Sequence, residues 1–460
     1  MKKIFPLIFT ISLIIFLIGF FYAGGIISAW KKYPFDNEFQ VKAKYLKDFF
    51  TKIRYIKLEQ GLIAAFKETA NLEWKIIKGE EGLIYTGLHD LRVEYIDISD
   101  FSFDIWEYKR GNDVGGLAGG YIEEYDPFII IVNGIGNLQI FNKENKKRHN
   151  IQSNLATIID QQKYYSFNDA EGDQSANFGM RDIFWDQEKN YLYVSFHSKI
   201  DEEFCYGLEL RRASINNWDT ILNDNAQIDF KNFFKTKNCA KNFNGHNVGG
   251  RIIRYENKIV LTVGSFNMDE TDMSSLLSYN TDFGKVLLID ESGQSIIISS
   301  GHRNQQGLEI IDDQIFISEH GPMGGDEINK ILDGANYGWP FASYGFEYDA
   351  TPKYRMYHEP EFTEPMYYFT PSIAVSEIRY YNHEMFPRWK NNLFVSSLKD
   401  KSLYRLHYSK KDDRFISGER IEVGHRIRDM LIDTDGSIWL ITDDQLIIRI
   451  SRSVIDIPNE

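Results

Sequence analysis

The sequence predicts an all-β chain folded as a six-bladed β-propeller, preceded by an N-terminal transmembrane or signal helix. Three observations carry this expectation. Glycines are plentiful (34) and prolines few (11), while Ile, Val, Tyr and Phe recur in short runs broken by Asp, Asn and Gly. That is the composition of many strands joined by tight turns. From about Gly115 onward, an apolar strand, an Asx/Gly turn and a second strand rich in β-branched and aromatic residues recur six times. Ahead of them, an uncharged and mostly apolar stretch runs from Ile4 to Trp30, flanked by Lys2, Lys3, Lys31 and Lys32.

The six second strands read IIIV at Ile129–Val132, YLYVSF from Tyr191, KIVLTVG from Lys258, QIFISE from Gln314, NLFVSS from Asn392 and SIWLIT from Ser437. Their spacing, roughly 45 to 80 residues, meets or exceeds the usual blade repeat and implies long insertions. Radial closure protects sheet edges, so one propeller accounts for six such units better than a sandwich, a solenoid or two smaller β domains. The last unit ends near Ile450, and a strand from before residue 129 is expected to complete it. The segments are therefore 1–32 (anchor or signal), 33–110 (extension) and 111–455 (propeller). Within the extension, Val41–Lys67 reads as an amphipathic helix and Leu91–Ile105 as strand.

The Ile4–Trp30 stretch is long enough to span a bilayer, which takes about 20 apolar residues, and shows no clean small-x-small exit. An uncleaved anchor is favoured over a cleaved signal, and either one places the body outside the cytoplasm, in the periplasm or its equivalent. There an oxidising environment would permit a bridge between the two cysteines, Cys205 and Cys239. A formal net charge of −14 argues against nucleic acid as a partner, since phosphate backbones need a large basic surface.

Where the first two strands of each unit form a hairpin, the start of the first and the end of the second share one edge. His246 precedes GGRIIRY, Arg303 and Asn304 precede QGLEII, and Arg426 and Arg428 open RDMLID. Gly321 and Pro322 follow FISEH, and Lys399 follows LFVSSL. All map to one face. Singly, each cation reads best as solvated or paired with a blade-edge carboxylate. Together, four cations, one imidazole and exposed carbonyls on an acidic protein point to an anionic ligand with a metal as an added possibility. The glycines of NGHNVGGR leave room for close approach around His246. The run EHGPMGGDEIN, Glu319–Asn329, combines turn carbonyls with carboxylates, the ligands a hard cation prefers.

The motifs GHRNQQGLEI, SEHGPMGGDEINKI, GANYGWP, TPSIAVSEIRYY, FPRWKNNLFVSSLKDKSLYRL and HRIRDMLIDTDG occur in this order, and the chain from about 175 to 452 resembles the soluble PQQ-dependent glucose and aldose sugar dehydrogenases. The resemblance implies pyrroloquinoline quinone (PQQ) at the propeller mouth, one Ca²⁺ beneath it and a second, structural Ca²⁺. It implies His246 as general base, with Arg303 beside the reacting carbon. Asn177, Asn304, Tyr348, Lys399, Arg426 and Arg428 stand at cofactor-contacting positions. The carbonyls of Gly321 and Pro322 match ligands of the catalytic calcium, and Glu327 with the Tyr337 carbonyl match those of the structural one. The implied reaction oxidises the anomeric carbon of a small-molecule sugar to a lactone and hands the electrons to an external acceptor, in a body tethered to the membrane by its N-terminal segment. Two departures stand out. Ser265 replaces an Asp that orients the histidine, leaving Asp269 or Asp272 to fold back, and Asn177 replaces a glutamine. A propeller that binds without turnover, or a calcium-dependent lactonase, are the alternatives.

Overall fold

The computed structural model describes residues 120–452 apart from 135, 159–178, 202–204, 225, 242, 244, 269–271, 347–360 and 444–445, together with residues 83–85 and 90–97. Six sheets form six blades, antiparallel except where Ala335–Asn336 pairs parallel with Ser295–Ser300 at the outer edge of one. Their inner strands are Tyr121–Tyr125, Met180–Asp186, Gly249–Tyr255, Gln305–Ile311, Val375–Tyr381 and Ile427–Ile432, for blades 1 to 6 in order. Each packs against the next, and the sixth packs against the first, so the ring is closed. All six runs read from the sequence as second strands occupy that position in their blades.

Those second strands have both faces covered, because a neighbouring blade lies on each side. Phe394, Val395, Leu440 and Ile441 are therefore as buried as the residues that alternate with them. This is why the runs are continuously apolar rather than alternating. Between blades 6 and 1, Trp439, Ile441 and Leu431 pack on Ile129, Ile131 and Phe141.

The ring closes through the chain's own early segment. Asp90–Asp97 pairs antiparallel with Leu446–Arg452, from Leu91↔Arg452 to Asp97↔Leu446, and Leu83–Tyr85 adds a further strand outside it. The sixth blade thus draws on the 33–110 segment for the strand expected from before residue 129. An ion cluster reinforces the same seam: Lys143 Nζ of blade 1 lies 2.6 Å from Asp433 of blade 6, 3.2 Å from Glu124 and 2.8 Å from Asp126.

Along the axis, Arg251 Nη1 reaches Asp182 at 3.0 Å, Glu377 at 2.9 Å and Asp429 at 2.9 Å, from blades 2, 5 and 6. The same three carboxylates accept backbone N–H groups from adjacent blades: Ile252 to Asp182 at 2.7 Å, Leu308 to Glu377 at 3.1 Å and Ile122 to Asp429 at 2.9 Å. Blade-to-blade hydrogen bonds are therefore tied to a buried charge cluster, which is costly to break by removing one member.

Cys205 and Cys239 are bonded, with Cα atoms 5.1 Å apart. Among the described residues no helix is long and apolar enough to cross a membrane. The Ile4–Trp30 stretch and the helix expected over Val41–Lys67 lie outside the described residues.

Candidate functional site: a cationic propeller mouth

The ladder registers set which residues share an edge. Gly249 pairs with Val263, Gln305 with Glu319, Val375 with Ser397 and Ile427 with Thr442, so inner-strand starts lie beside second-strand ends. In blades 2 to 6 the register also shifts at that end, around Arg181, Gly250, Gln306, Ser376 and Arg428. Bulges of this kind turn side chains out of the pleat and recur next to active sites. Hydrogen bonds link the strand starts around the ring. Arg181 Nη2 donates to the Gly245 carbonyl at 3.2 Å, and Gly249 N–H to Asn304 Oδ1 at 3.2 Å. Ser318 Oγ donates to the Ser376 carbonyl at 2.7 Å, and Ser376 Oγ to that of Ile427 at 2.7 Å.

His246 sits in the loop before the blade 3 inner strand, where backbone crowding requires glycine. A Cβ on Gly250 would lie 2.4 Å from Arg181 Cβ, and one on Gly264 2.1 Å from the Asn247 carbonyl oxygen. His246 is an exposed residue. Enough protein surrounds it that desolvation, then the Arg181 and Arg303 guanidiniums, hold its pKa below the ordinary histidine value. The neutral imidazole, able to accept a proton, is the favoured form.

Arg303 Nη1 donates to the Gly321 carbonyl at 3.0 Å, and its guanidinium lies 5.2 Å from the Trp339 ring centre. Its backbone N–H donates to Glu319, whose carboxylate also holds His302 Nδ1 at 2.9 Å. His320, the next residue along, is bonded through Nε2 to the Val375 carbonyl. Burial pulls the His320 pKa down, with Arg303 and Arg428 acting in the same direction. His246, Arg303, His320 and Arg428 are thus successive electrostatic neighbours across blades 3, 4 and 6.

Arg428 is buried and binds Asp443 with two parallel bonds, 2.9 and 3.0 Å, while Arg426 Nε reaches the same carboxylate at 3.0 Å. For these two arginines the pairing with a blade-edge carboxylate weighed from sequence is what the structure has. Lys399 is exposed, and its N–H donates to the Ile373 carbonyl at 3.1 Å, two residues from Val375. Asn177 and Tyr348 lie outside the described residues.

The run at Glu319–Asn329 encloses a cavity of about 10 Å³, room for one ion or water, lined by Arg303, Glu319, Gly321, Glu327, Tyr337 and Trp339 among others. Glu327 faces Glu319 across the ladder. Burial, then the Glu319 charge, pushes the Glu327 pKa up to about 8. Asp326 organises the turn, accepting from Gly321 N–H at 3.1 Å and Ser372 Oγ at 2.9 Å, and Ser372 Oγ lies 3.3 Å from the Pro322 carbonyl. A buried carboxylate, Glu319, facing the half-buried Glu327 beside crowded glycine carbonyls fits a hard cation. The buried Arg303 Nε lacks a hydrogen-bond partner among the described residues, and with Arg428, Arg426 and Lys399 it fits a polycarboxylate ligand.

Ser265 is buried, and its N–H donates to the Arg303 carbonyl at 2.8 Å. Asp272 does not fold back: its carboxylate caps the helix Met273–Leu277, accepting from Ser275 N–H at 3.1 Å and Ser274 Oγ at 2.8 Å. Asp269 lies outside the described residues. Sequence reasoning missed Arg181, which flanks His246. The signal was available: Arg181-Asp182 repeats Arg428-Asp429, the same dipeptide at the same bulge of two inner strands.

The glucose/sorbosone dehydrogenase family profile matches residues 126–449. The aldose sugar dehydrogenase YliI of Escherichia coli (strain K12) is 34% identical over 234 residues, 47% of this chain and 62% of that one, so the match spans less than two thirds of the relative's length. Two solved structures share the fold. The apo-form soluble aldose sugar dehydrogenase of Escherichia coli has a TM-score of 0.62 at 21% identity, over 79% of this chain and 100% of that one. The PQQ-bound aldose sugar dehydrogenase of Streptomyces coelicolor has a TM-score of 0.55 at 15% identity, over 79% and 99%. With a match across most of the propeller and a solved fold in common, the chain belongs to the glucose/sorbosone dehydrogenase family.

Proposed function

We propose that this protein is a PQQ- and calcium-dependent dehydrogenase that oxidises the anomeric carbon of an aldose to a lactone. The observation that carries the reading is the placement of a neutral-favoured His246 beside Arg303, with Arg428 and Arg426 of blade 6 on the same mouth. The family membership and the PQQ named for a structural neighbour support it.

Arg303, Lys399, Arg426 and Arg428, with Asn304 and the undescribed Asn177 and Tyr348, would hold PQQ. The carbonyls of Gly321 and Pro322 would hold the catalytic calcium, and Glu327 with Tyr337 the structural one. PQQ with calcium supplies the two-electron acceptor for the hydride leaving the sugar C1. A ring nitrogen of His246 takes the proton of the C1 hydroxyl, and desolvation, with Arg181 and Arg303 adding to it, favours the unprotonated nitrogen beforehand. Arg303 is also placed to stabilise negative charge developing at the mouth. An external acceptor then takes the electrons. The disulfide supports an extracytoplasmic body, and the Ile4–Trp30 stretch a membrane tether for it.

The lactonase reading would place clustered carboxylates around an axial metal. Here the axial carboxylates surround Arg251 instead.

Anaerobic titration of the apo protein with PQQ and Ca²⁺, followed by a dye-linked aldose panel, tests the proposal. Stoichiometric uptake and aldose oxidation are expected, with His246→Ala retaining uptake and losing turnover. Tight uptake with no sugar oxidised would leave a binding propeller, and unchanged turnover in His246→Ala would remove the base.

A further inference from the structure

A second cleft lies on blade 2, at the far end of its strands from the mouth. Tyr191 pairs with Asp186 at the end of the inner strand and with Ser214 at the end of the third. Arg181 stands near the start of that inner strand, so the two sites lie roughly 17 Å apart along it, at about 3.3 Å per residue. The cleft has a volume of about 660 Å³, within the span of small-molecule sites. Buried Ile215, Ile221 and Ile228 line it, together with exposed amides such as Asn216, Asn217 and Gln227.

Its distinctive member is Arg212. The guanidinium carbon lies 4.5 Å from the Tyr191 ring centre and 4.1 Å from that of Phe233, and the group bonds to Tyr193. Three aromatic residues from two neighbouring segments thus hold a planar donor fork in place. Neither Arg212 nor Lys231, which lines the same cleft, has a carboxylate partner among the described residues. Asp229, the acid lining the cleft, accepts from Asn154 Nδ2 at 2.6 Å. In a protein of net charge −14, this concavity holds two cations against one acid. A fixed guanidinium is suited to bidentate recognition of a carboxylate, and the exposed amides are suited to hydroxyl groups.

We infer that this cleft is a binding site for an acidic saccharide, with Arg212 gripping a uronate-type carboxylate, Lys231 adding charge and the amides reading hydroxyls. The site is separate from the mouth and does not depend on the dehydrogenase reading.

Isothermal titration of the full-length protein with D-galacturonate, methyl glucoside and inorganic phosphate tests the inference. Galacturonate is expected to bind and methyl glucoside not to. Its Kd should rise about tenfold in Arg212→Gln and about threefold in Lys231→Ser, and stay unchanged in Arg426→Gln, which reports on the mouth. Lys231 is exposed, so its variant remains informative if Arg212→Gln folds poorly. Galacturonate binding insensitive to both cleft variants, equal binding of the neutral glycoside, binding of phosphate alone, or no binding at all would overturn the assignment.

Discussion

Arg303 and Gly321 flank the paired ends of one hairpin, just before Gln305–Ile311 and just after Gln314–Glu319, and the Arg303 Nη1 bond to the Gly321 carbonyl, 3.0 Å long, locks the two together at the mouth. The arginine proposed to meet the reacting carbon is therefore fixed to the turn proposed to meet the calcium. Trp339 beneath the guanidinium restricts it further.

Arg303→Lys should lower kcat by about 10²- to 10³-fold, because an ammonium cannot reproduce a fork held on one side by a carbonyl and stacked over an indole. Thermal unfolding should be almost unchanged. A loss smaller than tenfold would place Arg303 outside the reacting centre.

Asp443 orients both blade 6 arginines, so Asp443→Asn should weaken PQQ binding at least tenfold while Lys399 and Arg303 remain in place. Because Arg428 is buried, the same change should cost about 2–4 kcal/mol in urea unfolding. Undiminished PQQ affinity would show that the arginines do not need this partner.

Carboxylates outnumber guanidiniums on the axis: Glu123, Asp182, Glu309, Glu377 and Asp429 share it with Arg251 and Arg379. Glu123 lacks a direct ion pair among the described residues, and burial pushes its pKa up to about 8. Unfolding returns it to the ordinary carboxylate range, so the unfolded chain releases a proton that the folded one keeps. The stability this contributes is complete below about pH 4.5 and is lost as pH rises to about 8, on the order of 1–3 kcal/mol. The melting temperature of Glu123→Gln should fall less than that of the parent between pH 5 and pH 8. Parallel profiles would contradict the assignment.

The Cys205–Cys239 bond closes a loop with a sequence separation of 34 and ties the third strand of blade 2 to the segment leading to His246. Replacing both cysteines by serine should lower stability by about 2–4 kcal/mol, measured by denaturant midpoint. An equal midpoint in the parent and the double variant would argue against it.

The second strands could be read directly, since sandwiching between blades makes each a continuous apolar run, and six of them imply a ring. Closure could be anticipated only in outline. A strand seven residues or so long carries no label for its partner, and the pairing of Asp90–Asp97 with Leu446–Arg452 depends on three-dimensional proximity.

What the sequence by itself determined is the blade count, the family-like motifs and the shared edge of His246, Arg303, Arg426 and Arg428, because ladder register converts order along the chain into a common face. The tertiary structure decided which charges neutralise one another. Asp443 pairs with the blade 6 arginines, Arg251 gathers carboxylates from three blades, Asp272 caps its own helix, and Arg181 joins His246. Ion pairing depends on distances of a few ångströms between residues from different blades, and no local pattern in the chain encodes those distances.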